Sequence, residues 1–84
     1  FREPHFNLGY IHQEYLKVYD VAIEHYTNAI RVEPNYIDAY YNRALCYEAL
    51  NEPEKAETDL RKALKLNPTY TLAALALNRI LAQQ

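Results

Sequence analysis

The sequence predicts an all-α fold of antiparallel helix hairpins, five helices in one domain spanning residues 1–84. Three observations carry that prediction. First, the chain has one glycine, Gly9, and no Asn-Gly, Asp-Gly or Gly-Gly dipeptide, so the tight turns of an antiparallel sheet lack their usual residues. Second, apolar residues fall at helical spacing: Ala22, Tyr26, Ala29 and Ile30 step as i, i+4, i+7, i+8, and Ala56, Leu60, Ala63 and Leu64 repeat that pattern. Third, Ala22, Ala29, Ile30, Val32, Pro34 and Tyr36 recur 34 residues later as Ala56, Ala63, Leu64, Leu66, Pro68 and Tyr70. Only four of eighteen positions are identical between 19–36 and 53–70, but the matches fall on small, apolar and helix-ending places. A fixed period with two helices per unit marks a solenoid.

Taken in order, the helices are expected near 4–15, 19–33, 36–50, 53–67 and 71–82. The first starts at Pro4 and carries Gly9. The second ends before Pro34, which cannot continue a helix and pushes its predecessor out of the α region. The third places Tyr40, Arg43, Ala44 and Tyr47 at i, i+3, i+4, i+7 and closes at Asn51, a residue suited to the left-handed conformation. Pro53 suits the first turn of the fourth, which Pro68 ends. The fifth is apolar at nine of eleven positions from Leu72 to Ala82, interrupted only by Asn78 and Arg79.

The chain resembles the tetratricopeptide repeat family over nearly its whole length, about two and a half repeats. That family's pattern runs W-x2-L-G-x2-Y, then A-x3-F, then P. Tyr40, Arg43, Ala44 and Tyr47, then Ala56, Leu60, Ala63 and Pro68, occupy those places in one unit. His5, Leu8, Gly9 and His12, then Ala22, Tyr26, Ala29 and Pro34, occupy them in the unit before it. Ala74, Leu77, Asn78 and Leu81 stand at the first-helix places of a third. The resemblance implies a right-handed superhelix of repeat one (2–36), repeat two (37–70) and a first or capping helix of a third (71–84). Gly9 to Ala44 is 35 residues where Ala22 to Ala56 is 34, so one extra residue is expected in the first hairpin turn, around Leu16 to Tyr19. Gly9 and Ala44 are expected where paired helices cross, with Ala22 and Ala56 facing them, because small residues let axes approach to about 8 Å.

Composition narrows the function. Nine Lys and Arg against eleven Asp and Glu give a net charge of −2, which opposes a nucleic-acid interface built on clustered bases. The nine tyrosines are read mainly as packing residues rather than as base-stacking platforms. The single cysteine, Cys46, permits no internal disulfide or cysteine zinc site and is expected to be a buried, inert thiol. His5 and His12 lie two turns apart, about 10 Å, too far to share one ion, and are read as packing residues. His25 is placed on the outward side of its helix. No nucleophile elbow, phosphate loop or His-Glu-x-x-His pattern occurs, so neither an enzyme nor a cofactor or metal site is expected. Acids Glu52, Glu54, Glu57 and Asp59 ahead of bases Arg61, Lys62 and Lys65 complement the helix dipole and read as a solvated convex face. No signal peptide or membrane-span pattern is present, so a soluble chain without an assigned compartment is expected, and the opening Phe-Arg-Glu-Pro reads as part of something longer.

The family resemblance implies function on the concave surface lined by the first helix of each hairpin. Opposite the packing stripe of the third helix stand Asp38, Tyr41, Asn42, Leu45 and Glu48. The matching stripe of the first helix is Glu3, Phe6, Tyr10, Gln13 and Glu14, and that of the fifth is Leu72, Leu75, Arg79 and Ala82. Phe6, Tyr10, Tyr41, Leu45 and Leu75 give an apolar floor rimmed by Glu3, Glu14, Asp38 and Glu48. This suits a partner peptide with apolar anchors and some basic residues, bound by a non-catalytic scaffold or adaptor. Some members of the family clamp the terminal carboxylates of a peptide with Lys, Asn and Arg on three first helices. Here only Asn42 fits, while Phe6, Tyr10, Leu72 and Ala76 fill the other places, which tells against that mode. The alternative is a self-association module: Leu72, Leu75, Leu77 and Leu81 on the fifth helix are expected to lack a covering partner and to build a homo-dimer. Phe1 and Ile11 mark a similar open side on the first helix.

Overall fold

The computed structural model describes residues 4–83; Phe1 and Glu3, read above as an open edge and a groove rim, lie outside that range. Five helices follow one another: α1 (Pro4–Ile11), α2 (Tyr19–Val32), α3 (Ile37–Ala49), α4 (Pro53–Leu66) and α5 (Thr71–Ala82). No strand occurs among the described residues. Each helix packs on its sequence neighbours, and α5 also reaches α3.

The two junctions between hairpins are copies of one turn. Glu33 and Asn67, each preceding a proline, leave the helix for extended backbone at φ −132° and −144°. Their amides still donate to Ala29 and Ala63, both at 2.9 Å. Tyr36 and Tyr70 then donate to the Glu33 and Asn67 carbonyls, both at 3.1 Å, and start the next helix. Thus the 34-residue period holds at the level of single hydrogen bonds.

Within the hairpins, Asn51 takes the left-handed conformation at φ 60°, and Lys17, 34 residues earlier, takes it at φ 56°. Because Lys17 keeps the repeat spacing, the extra residue of the first unit cannot lie after it. It lies instead inside the first helix, which widens into a π-helical turn over His12–Leu16. The expectation of a longer turn around Leu16 to Tyr19 is corrected accordingly. The widened turn buries Gln13, whose Oε1 accepts a 2.5 Å hydrogen bond from the Tyr26 hydroxyl. Tyr26 is fully buried against Gly9, and its hydroxyl would otherwise lack a partner there. The second hairpin puts Leu60 at the equivalent place and needs no such device.

The core forms two clusters. Ala22, Tyr26, Ala29, Tyr36, Ala39 and Cys46 fill the space between α2 and α3, with Phe6 packed against them. Ala44, Ala56, Leu60, Ala63, Ala73, Ala76, Leu77 and Ile80 join α3, α4 and α5. Small residues dominate both, as close helix crossings require. Leu77 belongs to this second cluster at 8% exposure, so it is not part of an uncovered face. It shares that cluster with Leu60 and Ala44.

One buried contact departs from both the family pattern and the expected charge distribution. Arg43, standing where the family has leucine, makes a bidentate ion pair with Asp59, both bonds at 2.7 Å. A third bond at 3.1 Å reaches Thr27. The guanidinium also lies 5.7 and 5.8 Å from the Tyr40 and Tyr47 ring centres. Asp59 is therefore buried and tied to α3, not part of the solvated convex face. Burial alone would lower the Arg43 pKa, but the Asp59 carboxylate outweighs it and raises the value. The expected i, i+4 pair between Glu57 and Arg61 forms at 2.9 Å.

Candidate functional site

The expected concave face draws on α1, α3 and α5. On α3, Asp38 is exposed, while Tyr41, Asn42, Leu45 and Glu48 are half-buried along one stripe. On α5, Leu72 and Leu75 stand open at 55% and 57% exposure, one turn apart on the same helix face. On α1, Tyr10 is open and Glu14, in the π-helical turn, is exposed.

The expected residues do different jobs. Phe6 leans into the core, its ring 5.1 Å from Tyr36 and 5.5 Å from Tyr26. It supports the floor from below more than it presents a contact. Tyr41 packs on Tyr70 at 5.2 Å and stays half-buried. The Asn42 amide donates to the Asp38 backbone carbonyl at 2.8 Å, four residues back on its own helix. Glu48 is not a free rim acid: Arg79 of α5 grips it with two bonds, at 2.7 and 2.8 Å. That hydrogen-bonded pairing holds the Glu48 carboxyl below the usual carboxylate range. The pair ties α5 to α3. Asp38 and Glu14 remain as acids without an ion-pair partner among the described residues. Leu81 is 40% exposed toward the end of α5.

Cys46 is fully buried between α2 and α3. Burial first, and then the neighbouring Glu14 charge, pushes its thiol up to about 12, so it carries no thiolate at neutral pH. The three histidines meet, contrary to the outward placement expected for His25. Its ring lies 5.1 Å from His12 and 6.3 Å from His5, across the α1–α2 contact. His12 Nδ1 bonds the Leu8 carbonyl at 2.8 Å. Among the described residues, no group of three or more His, Cys, Asp or Glu side chains is arranged to hold a metal ion. No described helix is long and apolar enough to cross a membrane.

A stack of small-residue helix hairpins with an apolar concave face defines a helical-repeat interaction module. Two tetratricopeptide repeat models match, one over residues 37–70 and one over 16–51, together spanning more than half of the chain. The chain belongs to the tetratricopeptide repeat family, whose members serve as protein-interaction scaffolds. It is 51% identical over 55 residues, 66% of its length, to tetratricopeptide repeat protein 36 of Caenorhabditis elegans. It is 40% identical over 53 residues, 63% of its length, to Hsp70-Hsp90 organizing protein 3 of Arabidopsis thaliana. The chain spans 31% and 10% of those relatives. A solved structure, the first repeat domain of Spaghetti (RPAP3) bound to the HSP90 peptide SRMEEVD, superposes with a TM-score of 0.90 at 26% identity, over 94% of this chain and 62% of that one.

Proposed function

We propose that the concave face binds an extended segment of a partner protein, without catalysis, and that the chain acts as an adaptor. The observation that carries this reading is the exposure of Leu72 and Leu75 on one face of α5, a helix in contact with α3 and its half-buried Tyr41 and Leu45. Contiguous exposed apolar surface on a folded domain marks an interaction site. The likeness to a repeat domain solved with a bound peptide supports a peptide as the partner.

The recognised chemistry differs from an acidic peptide tail. Of the five clamp places that hold terminal carboxylates in some members of the family, only Asn42 matches, and its amide is spent on the Asp38 carbonyl. Tyr10, Tyr41, Leu72 and Leu75 favour apolar anchors, and Asp38 and Glu14 favour basic residues between them. The test is a peptide-library screen on the parent and on Tyr41→Ala and Leu45→Ala, with SRMEEVD as a comparison ligand. Hits with apolar anchors that weaken on either substitution are expected, with no detectable SRMEEVD binding. Hits unchanged by both substitutions would sink the proposal.

Self-association through α5 is the alternative. With Leu77 in the core it rests on Leu72, Leu75 and Leu81. Light scattering over a dilution series separates the two: a dimer abolished by Leu72→Asp with Leu81→Asp favours assembly, and a monomer at all concentrations favours the peptide groove.

A further inference from the structure

Beside the groove, the two junction turns leave a cleft of about 360 Å³, lined by Glu33, Asn35, Tyr36, Asp38 and Tyr70 among others. Both charged residues in its lining are acids, and no Lys or Arg contributes to it. Neither Glu33 nor Asp38 joins an ion pair among the described residues. The other acids in the ion pairs, Glu48, Glu52, Glu57 and Asp59, are matched by bases of this chain. The Tyr70 hydroxyl is pushed up to about 12 by burial and then by the Asp38 carboxylate, so that wall stays neutral. Continuity with the groove is direct: Asp38 belongs to both, and the Tyr70 ring packs on Tyr41 of the floor at 5.2 Å.

We propose that this cleft receives an arginine side chain of the partner segment, its guanidinium held by the Glu33 and Asp38 carboxylates beside the Tyr70 ring. The inference rests on the groove reading for the source of that side chain, and on the cleft's own residues for its chemistry. A planar guanidinium offers five donors and stacks on aromatic rings, whereas an ammonium is a compact, strongly hydrated point charge with three. Carboxylates with two acceptor oxygens each, set among tyrosines and asparagine, match the former better.

The test uses N-acetyl-arginine amide as a free probe, read by amide chemical shifts on the whole chain. Saturable shifts at Asn35, Ile37, Asp38 and Tyr70 are expected. The neutral isostere N-acetyl-citrulline amide should bind at least roughly tenfold more weakly. Glu33→Gln with Asp38→Asn should remove the arginine response, and the same spectra report whether that variant remains folded. Equal binding of citrulline, or an unchanged response in the double variant, overturns the inference. A second arm replaces arginine by citrulline in library-selected peptides. Peptides that need Tyr41 but ignore both this replacement and the double variant overturn the cleft and leave the groove standing. Arginine entering the cleft while Tyr41→Ala changes no peptide supports the cleft and removes the groove.

Discussion

Removing the Asp59 carboxylate is the sharpest perturbation of this fold. In Asp59→Ala, Arg43 loses two charge-assisted bonds of 2.7 Å while staying largely buried, its side chain 17% exposed. Breaking one partner of a buried pair costs about 3–5 kcal/mol, because the other charge is left without compensation. Here the cost falls toward about 3 kcal/mol, since Arg43 keeps its bond to Thr27 and its contacts with two tyrosine rings. At about 0.05–0.15 kcal/mol per residue, a chain of this length holds only roughly 4–13 kcal/mol, so the variant should melt well below the parent. The informative partner is Arg43→Leu with Asp59→Leu, which restores the apolar residue the family pattern carries. Replacing a buried pair by apolar groups is commonly neutral or stabilising by about 1–4 kcal/mol. Urea unfolding followed by circular dichroism on the parent, both single variants and the double variant gives the coupling energy directly. A loss below about 1 kcal/mol for Asp59→Ala, or a double variant as unstable as the sum of the singles, would refute the argument.

Three other expectations follow from the same packing. Gly9→Ala would place a Cβ 2.7 Å from Cε1 of buried Tyr26, whose hydroxyl is fixed by Gln13; despite the better helix propensity of alanine, we expect a net loss of about 1–3 kcal/mol in thermal or urea melts, and a stabilised variant would show the ring free to move. Cys46, buried and with its thiol held protonated, should resist maleimide at neutral pH in the folded chain and react promptly in urea; labelling at the free-thiol rate without denaturant would contradict its placement. The Glu48 carboxyl sits below its unfolded value because Arg79 binds the charged form, so its contribution is present above about pH 4.3 and disappears as pH falls through the lower folded value. The stability gap between the parent and Glu48→Gln should therefore narrow on acidification, and a gap constant from pH 7 to pH 3 would mean the pair contributes nothing.

Periodicity made the helices legible because their causes are local. Pro34, Pro68, Asn51 and Pro53 act on neighbouring backbone, and the structure ends or starts helices beside each of them. The arithmetic of repeat spacing also revealed an extra residue, but not where the backbone absorbs it. Spacing between Gly9 and Ala44 is the same whether a loop lengthens or a helix widens. The observable that decides is Lys17: its left-handed backbone, in register with Asn51, leaves only the helix before it. That observation depends on recognising Lys17 as a turn residue, and lysine gives no such signal.

The candidate face was legible as a stripe but not in its charge balance, for a related reason. A helical wheel places Glu48 and Asp59 by their own helices alone. What neutralises them is Arg79, 31 residues from Glu48, and Arg43, 16 residues from Asp59. Such pairs leave no periodic trace, because each forms where two helix faces meet rather than along one of them. Once both are assigned, the acids open to a ligand near the groove are Glu14, Glu33 and Asp38, and the last two share one cleft. The net charge of −2 understates this, because the bases are paired or spread over other surfaces while the cleft keeps its two acids together. On the groove and cleft proposals, a partner segment is selected at two kinds of place: apolar side chains against Tyr41, Leu45, Leu72 and Leu75, and a cation at the junction of the turns. The spacing between the anchor and the cation in selected peptides should be fixed, because the Tyr41–Tyr70 ring contact joins the floor to the cleft. Peptides whose arginine tolerates free sliding relative to the apolar anchor would break that link.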